Sequence, residues 1–179
     1  KWTPTIKYIN MLGISHALKY LHKNGIIHRD IKAENILFDE NYYPKLFDFG
    51  FSRIFTQSLT NDMMLKMTTN LGTLLYMAPE LHQKCEEYGP GVDIFALGLI
   101  MYEIVSGKRC YFELIQMKTK PFEIVKKIVE GYRPEFTENM TQKMKDLLSG
   151  CWKNEAKDRL AADEIFNKLS NDFSCLGEP

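Results

Sequence analysis

The stretch IIHRDIKAENILF, residues 26–38, sets a histidine, an arginine, an aspartate, a lysine, a glutamate and an asparagine between two apolar runs. Flanks of that kind read as buried strand, and charge next to a buried strand needs a reason. Two explanations stand side by side. One is a solvated turn with a lone buried pair, the common fate of charged residues in a globular chain. The other is chemistry, because carboxylates, cations and amide oxygens are the groups that accept protons, offset developing charge and ligate hard cations.

Any such chemistry depends on elements that hold the stretch still. Residues 3–24 carry a helix pattern: Thr3 as cap, Pro4 in the first turn, apolar Ile6, Ile9, Ile14, Ala17, Leu18 and Leu21, and a stop at Asn24-Gly25. Two short strands are expected at Ile36–Asp39 and Lys45–Phe47, joined by the turn-rich ENYYP. From Asp48 to Glu80 periodicity fades into Thr, Ser, Asn and Met, which reads as a long functional loop. VDIFALGLIMYEIVSG, 92–107, is apolar nearly all round, a central buried helix too short and too charged to span a bilayer. Amphipathic helices are expected near 121–130, 140–152 and 161–169, with 107–120 as a connection.

Composition narrows the function classes. At 179 residues, 45% hydrophobic and 26% charged, the chain can bury one core, and disorder is excluded. Lys+Arg and Asp+Glu both number 23, so the basic excess of a nucleic-acid or membrane-surface binder is missing. Cys85, Cys110, Cys151 and Cys175 are scattered without C-x-x-C spacing, which argues against zinc or a disulfide framework and for a reducing, cytoplasmic setting. No signal-peptide pattern opens the chain, and the abrupt start at Lys1 leads to the expectation of a piece cut from a longer protein.

HRDIKAEN, 28–35, resembles the catalytic loop of eukaryotic protein kinases. DFG, Asp48–Gly50, begins thirteen residues beyond Asn35, and APE, Ala78–Glu80, follows. Three motifs in family order outweigh the solvated-turn reading. The resemblance covers residues 4 to about 170. It implies an α+β, protein-kinase-like fold, of which this chain is the mainly α-helical C-terminal lobe with a small β-hairpin at the catalytic loop. Residues 1–170 are then a partial kinase domain and 171–179 a C-terminal tail.

The same resemblance assigns roles. Asp30 accepts the proton of the substrate hydroxyl, and Lys32 places a cation near the transferring phosphoryl group. Asn35 and Asp48 hold Mg²⁺, and with Leu37 beneath the adenine they form the ATP site. Lys32, and Thr73 of GTLLYMAPE in contact with the catalytic aspartate, resemble the Ser/Thr type. His28 and Phe49 are expected in an internal hydrophobic spine anchored by Asp93. Leu37, with Ile100 and Ile104 below it, is likewise expected as core. Glu80 and Arg159 match a buried ion pair. Arg29 and Arg53 match a phosphate-binding pair for a phosphorylated Thr69, with Thr68, Thr60 and Ser58 as competing sites. The implied partners are ATP, a protein substrate and a smaller N-terminal lobe, with no nucleic acid and no membrane span.

Departures are limited. Ala33, Ala156 and Leu160 stand where the family usually has proline, and Cys151-Trp152 resembles the tyrosine-kinase-like group of Ser/Thr kinases. Leu75 disagrees with Glu34 and Glu103 about a basic substrate, which leaves the substrate sequence open. The Gly-rich loop, strand lysine and helix glutamate of the smaller lobe have no counterpart here, and GPG at 89–91 is a turn. The leading expectation is therefore an ATP-dependent Ser/Thr kinase of which this chain is a fragment, inactive in isolation. A non-catalytic kinase-like scaffold is the alternative, and a tyrosine or dual-specificity kinase is opposed by Lys32 and Thr73.

Overall fold

The computed structural model describes residues 2–54, 71–83 and 88–172. The expected first helix is α1, Pro4–Lys23. Thr3 Oγ1 accepts from Ile6 N at 3.2 Å, satisfying one of the amide donors that a helix start leaves open. Met11, Ile14, Leu18 and Leu21 are buried at helical spacing. Helix α1 packs against the central helix α4, Gly91–Ser106, and the last helix α8, Ala162–Asn171, among other elements. Helix α8 begins where Glu164 Oε2 reaches back to accept from Ala161 N at 2.7 Å.

Helix α4 is buried from Val92 through Tyr102, a run that is apolar apart from Asp93. Full burial of side chains such as Phe95, Leu97, Leu99 and Met101 is worth about 1.5–3 kcal/mol each. Gly107 ends the helix in the left-handed region, φ 70°, and its N–H bonds to Glu103 O at 2.9 Å. Helix α7, Gln142–Cys151, packs across α4. No helix among the described residues is long and apolar enough to cross a membrane.

Strands β2, Ile36–Phe38, and β3, Pro44–Leu46, form the expected hairpin, with Leu37 opposite Lys45. Its turn is held by Asp39, whose Oδ1 accepts from Asn41 N and Tyr43 N, both at 3.0 Å. A second antiparallel pair joins β1, Ile26–Ile27, to β4, Arg53–Ile54, so the charged stretch leaves one two-stranded ladder and enters the other.

Two expectations are corrected. The segment from Asp48 to Glu80 is not loop throughout: besides β4 it holds helices α2, Leu71–Tyr76, and α3, Pro79–His82. The connection at 107–120 contains α5, Phe112–Gln116. Helices of four to six residues are too short to show an apolar period or to stand alone, and tertiary contact supplies what propensity lacks. For α2 and α3 that contact is with α6, Pro121–Val129. Thr69 and the competing sites Thr68, Thr60 and Ser58 lie outside the described residues.

The α4–α7 crossing is close because Gly98 has no side chain. A Cβ at that position would meet Cys151 Cβ at 2.7 Å. Alanine would gain up to about 1 kcal/mol of helix propensity, but overpacking a rigid core costs about 1–3 kcal/mol. Gly98→Ala is expected to destabilise the chain by about 1–2 kcal/mol in a denaturant melt; an unchanged or higher midpoint would contradict this packing.

Candidate active site

The charged stretch is folded around a carboxylate that it does not contain. Asp93, in the first turn of α4 and 1% exposed, accepts from His28 N through Oδ2 and from Arg29 N through Oδ1, both at 2.8 Å. His22 Nε2, from the last turn of α1, lies 2.9 Å from the same Oδ2. Arg29 is held at φ 70°, a conformation that costs an L-residue about 1–2 kcal/mol. Two amide bonds to a buried carboxylate, at about 1.5–3 kcal/mol each, outweigh that cost.

With the backbone bent there, the next side chains converge. Lys32 Nζ donates to Asp30 Oδ2 at 2.7 Å and to Thr73 Oγ1 at 3.2 Å. Asn35 Nδ2 donates to Asp30 Oδ2 and to Asp30 O, both at 2.8 Å. Asp30 is 3% exposed, and its second carboxylate oxygen, Oδ1, is buried without a hydrogen-bond partner among the described residues. A carboxylate with one oxygen clamped and the other unsatisfied is built to accept.

His28 is completely buried and fixes the floor. Its Nδ1 accepts from Asp30 N at 3.4 Å, which leaves Nε2 to donate to Phe47 O at 3.2 Å. Phe47 N in turn donates to Asn35 O at 2.9 Å, tying the turn that follows β3 to the charged stretch. One residue further on, Asp48 takes the left-handed region at φ 57°, and its Oδ1 accepts from Gly50 N at 3.1 Å. The amide oxygen of Asn35 and the second carboxylate oxygen of Asp48 are hard donors carried by the two segments that the Phe47–Asn35 backbone bond joins.

Phe49 and Leu37 depart from expectation. Phe49 touches the His28 ring at a centroid distance of 4.8 Å, yet it is 48% exposed, and Leu37 is 50% exposed. Neither is core in this chain. Strand alternation explains Leu37: Ile36 and Phe38 line an apolar cavity of about 640 Å³ with Ile100 and Ile104, and Leu37 between them points to the opposite face. Exposed Phe38, Phe47, Phe49 and Ile54 accompany it along the two ladders.

Away from the loop, Arg159 holds Glu80 with two bonds of 2.7 Å and spends its remaining donors on Gly91 O, Lys153 O and Asn154 O. This pair ties α3 to the start of α4. Several contacts escaped the sequence reading. Tyr76 O–H donates to both oxygens of Glu103, at 3.0 and 2.9 Å, and Cys110 N donates to Oε1 at 2.7 Å. Burial, and then Glu103, push the Cys110 thiol well above its ordinary pKa. Glu34 Oε1 lies 3.8 Å from Arg109 Nη2 in an exposed pair. The Tyr76–Glu103 and Glu34–Arg109 contacts join residues far apart in sequence, and no local pattern signals them.

Comparison with known proteins adds the decisive observation. The family model for the protein kinase domain matches residues 5–169. The chain belongs to the protein kinase family. Among similar curated proteins is a probable LIM domain-containing serine/threonine-protein kinase of Dictyostelium discoideum, 36% identical over 156 residues, covering 87% of this chain and 22% of that protein. The serine/threonine-protein kinase STY46 of Arabidopsis thaliana is 32% identical over 167 residues, covering 93% of this chain and 27% of that protein. Human mitogen-activated protein kinase kinase kinase 4 is 35% identical over 156 residues, covering 86% of this chain and 9% of that protein. The kinase domain seen here thus spans about a quarter or less of these relatives' lengths. Its mainly helical architecture with small antiparallel ladders is that of the family's C-terminal lobe.

Arg159 is the member of the Glu80 pair with no solvent exposure of its side chain. Removing one partner of such a pair strands the other, at a cost of about 3–5 kcal/mol. Arg159→Leu is expected to lower unfolding stability by about 3 kcal/mol, the low end because Glu80 keeps some water contact. A loss below about 1 kcal/mol, the scale of a surface pair, would show that the pair holds nothing together.

Proposed function

We propose that this chain is the C-terminal lobe of a protein serine/threonine kinase, transferring the γ-phosphoryl of ATP to Ser or Thr hydroxyls of a protein substrate. Residues 1–170 form the partial domain and 171–179 a tail. The observation that carries the reading is the Asp30 carboxylate, clamped at Oδ2 by Lys32 and Asn35 and unsatisfied at Oδ1.

In this reading Asp30 Oδ1 accepts the hydrogen bond, and then the proton, of the substrate hydroxyl. Lys32, already between Asp30 and Thr73, orients the carboxylate and offsets charge that grows on the phosphoryl oxygens. Thr73 fixes Lys32 and so connects the substrate-facing segment to the loop. Asn35 and Asp48 suit Mg²⁺ because each carries a hard oxygen donor, and this cation takes few protein ligands beside phosphate and water. Bound ATP and Mg²⁺ would supply the phosphoryl group and its countercharge. Leu37, half exposed, presents an apolar surface to the adenine. The exposed apolar side chains along the ladders suit an interface with a smaller N-terminal lobe, since clusters of this kind are normally covered. The isolated chain is therefore expected to be inactive. Arg29 and Arg53 are read as the pair that docks a phosphorylated Thr69. The free, buried thiols of Cys110 and Cys151 agree with a reducing, cytoplasmic setting, and the tyrosine-kinase-like group is compatible with these relatives.

The test is phosphoryl transfer by the full-length protein to Ser, Thr and Tyr peptides. Transfer to Ser and Thr is expected, with Asp30→Asn reducing turnover by about 10²–10⁴-fold at an unchanged melting temperature. Full activity in Asp30→Asn, or none in the wild type, would remove the assignment.

A further inference from the structure

Arg29 is fixed at both ends. Its backbone N–H is held by Asp93, and its guanidinium carbon lies 4.6 Å over the ring of Tyr88, three residues before α4. The residue is 5% exposed, so this cation is stacked in a desolvated place. The Tyr88 hydroxyl beside it is buried and has no hydrogen-bond partner among the described residues. A buried phenol normally finds one. Stacking alone would be served by phenylalanine, so the hydroxyl calls for its own explanation.

Arg53 supplies the second cation. It pairs with Ile27 in the β1–β4 ladder, one residue before His28-Arg29. Burial lowers the Arg29 pKa most, Tyr88 opposes this, and nearby Arg53 lowers it further. The Tyr88 phenol is raised by burial and pulled back by the same two arginines. Arg29 is thus stacked on Tyr88 out of solvent, and Arg53, on the neighbouring strand, is near enough to act electrostatically on both. Three donors carrying two positive charges match a dianionic tetrahedral oxyanion better than a carboxylate.

We propose that Tyr88 completes a phosphate-monoester pocket with Arg29 and Arg53: its ring is the shelf that positions the Arg29 guanidinium, and its hydroxyl is the third donor to the phosphate. This rests on the reading of Arg29 and Arg53 as a phosphate-docking pair. Tyr88 extends that pair to the N-terminal approach of α4, the helix whose Asp93 also sets the Arg29 backbone.

The experiment is ³¹P NMR titration of the full chain carrying phosphothreonine at position 69, compared with the same chain unfolded in urea. In the folded wild type the second ionisation should fall clearly below the value of about 6 for a free phosphate monoester. Arg53→Gln should return it most of the way. Tyr88→Phe keeps the ring and should raise it by about half a pH unit, the loss of one charge-assisted donor, while Tyr88→Leu should raise it further. Melting curves confirm that each variant is folded. If Arg53→Gln moves the titration and Tyr88→Phe titrates like wild type, the Tyr88 proposal is overturned and the arginine pair stands. If the folded wild type titrates like the unfolded chain, both are overturned.

Discussion

Asp93 is one carboxylate on one buried helix, and the geometry of the charged stretch follows from it. Its two oxygens take consecutive backbone donors from His28 and Arg29 and a ring nitrogen from His22. These bonds account for Arg29 in the left-handed region, where an arginine would not go unaided. Burial makes the constraint strict. A half-satisfied carboxylate inside a core would cost more than the strained residue does, so the loop bends to the carboxylate.

What the bend does is bring Asp30, Lys32 and Asn35 onto one point from within a single short segment. Their side chains then hold one another. Asn35 reaches back to both the carboxylate and the carbonyl of Asp30, and Lys32 crosses to Thr73 on α2. His28 carries the same order to the far side through Phe47, which places the Asp48 turn against Asn35. Two sequence-distant turns are brought together through backbone bonds, and the buried Oδ1 of Asp30 is left without a hydrogen-bond partner among the described residues.

The sequence made much of this legible, for physical reasons that differ by residue. Helices α1, α4, α6, α7 and α8 are long enough for apolar spacing to show, and Thr3, Pro4 and Gly107 mark their ends as local chemistry requires. The hairpin was visible through ENYYP. Asp30, Asn35 and Asp48 were expected only from the motif set, because the bonds from Asn35 to Asp30 and from Phe47 N to Asn35 O are contacts that spacing cannot express. Helices α2, α3 and α5 were missed because tertiary contact, not propensity, stabilises them. Phe49 and Leu37 were expected as core from the family resemblance, yet they are half exposed, since strand alternation and turn geometry aim them outward. Tyr88 gave no signal, because an aromatic before a helix is usually a packing residue and its unsatisfied hydroxyl exists only in three dimensions.

Whether one carboxylate governs the loop can be read directly from native-state hydrogen exchange at the His28 and Arg29 amides, in wild type and in Asp93→Asn. Core amides of α4 such as Met101 serve as the gauge of global stability. The account predicts that in the variant His28 and Arg29 lose protection by a larger factor than Met101, because their acceptor is weakened while the helix persists. Equal loss at all three positions, or none at His28 and Arg29, would mean that the loop holds its shape without Asp93 and would contradict the account.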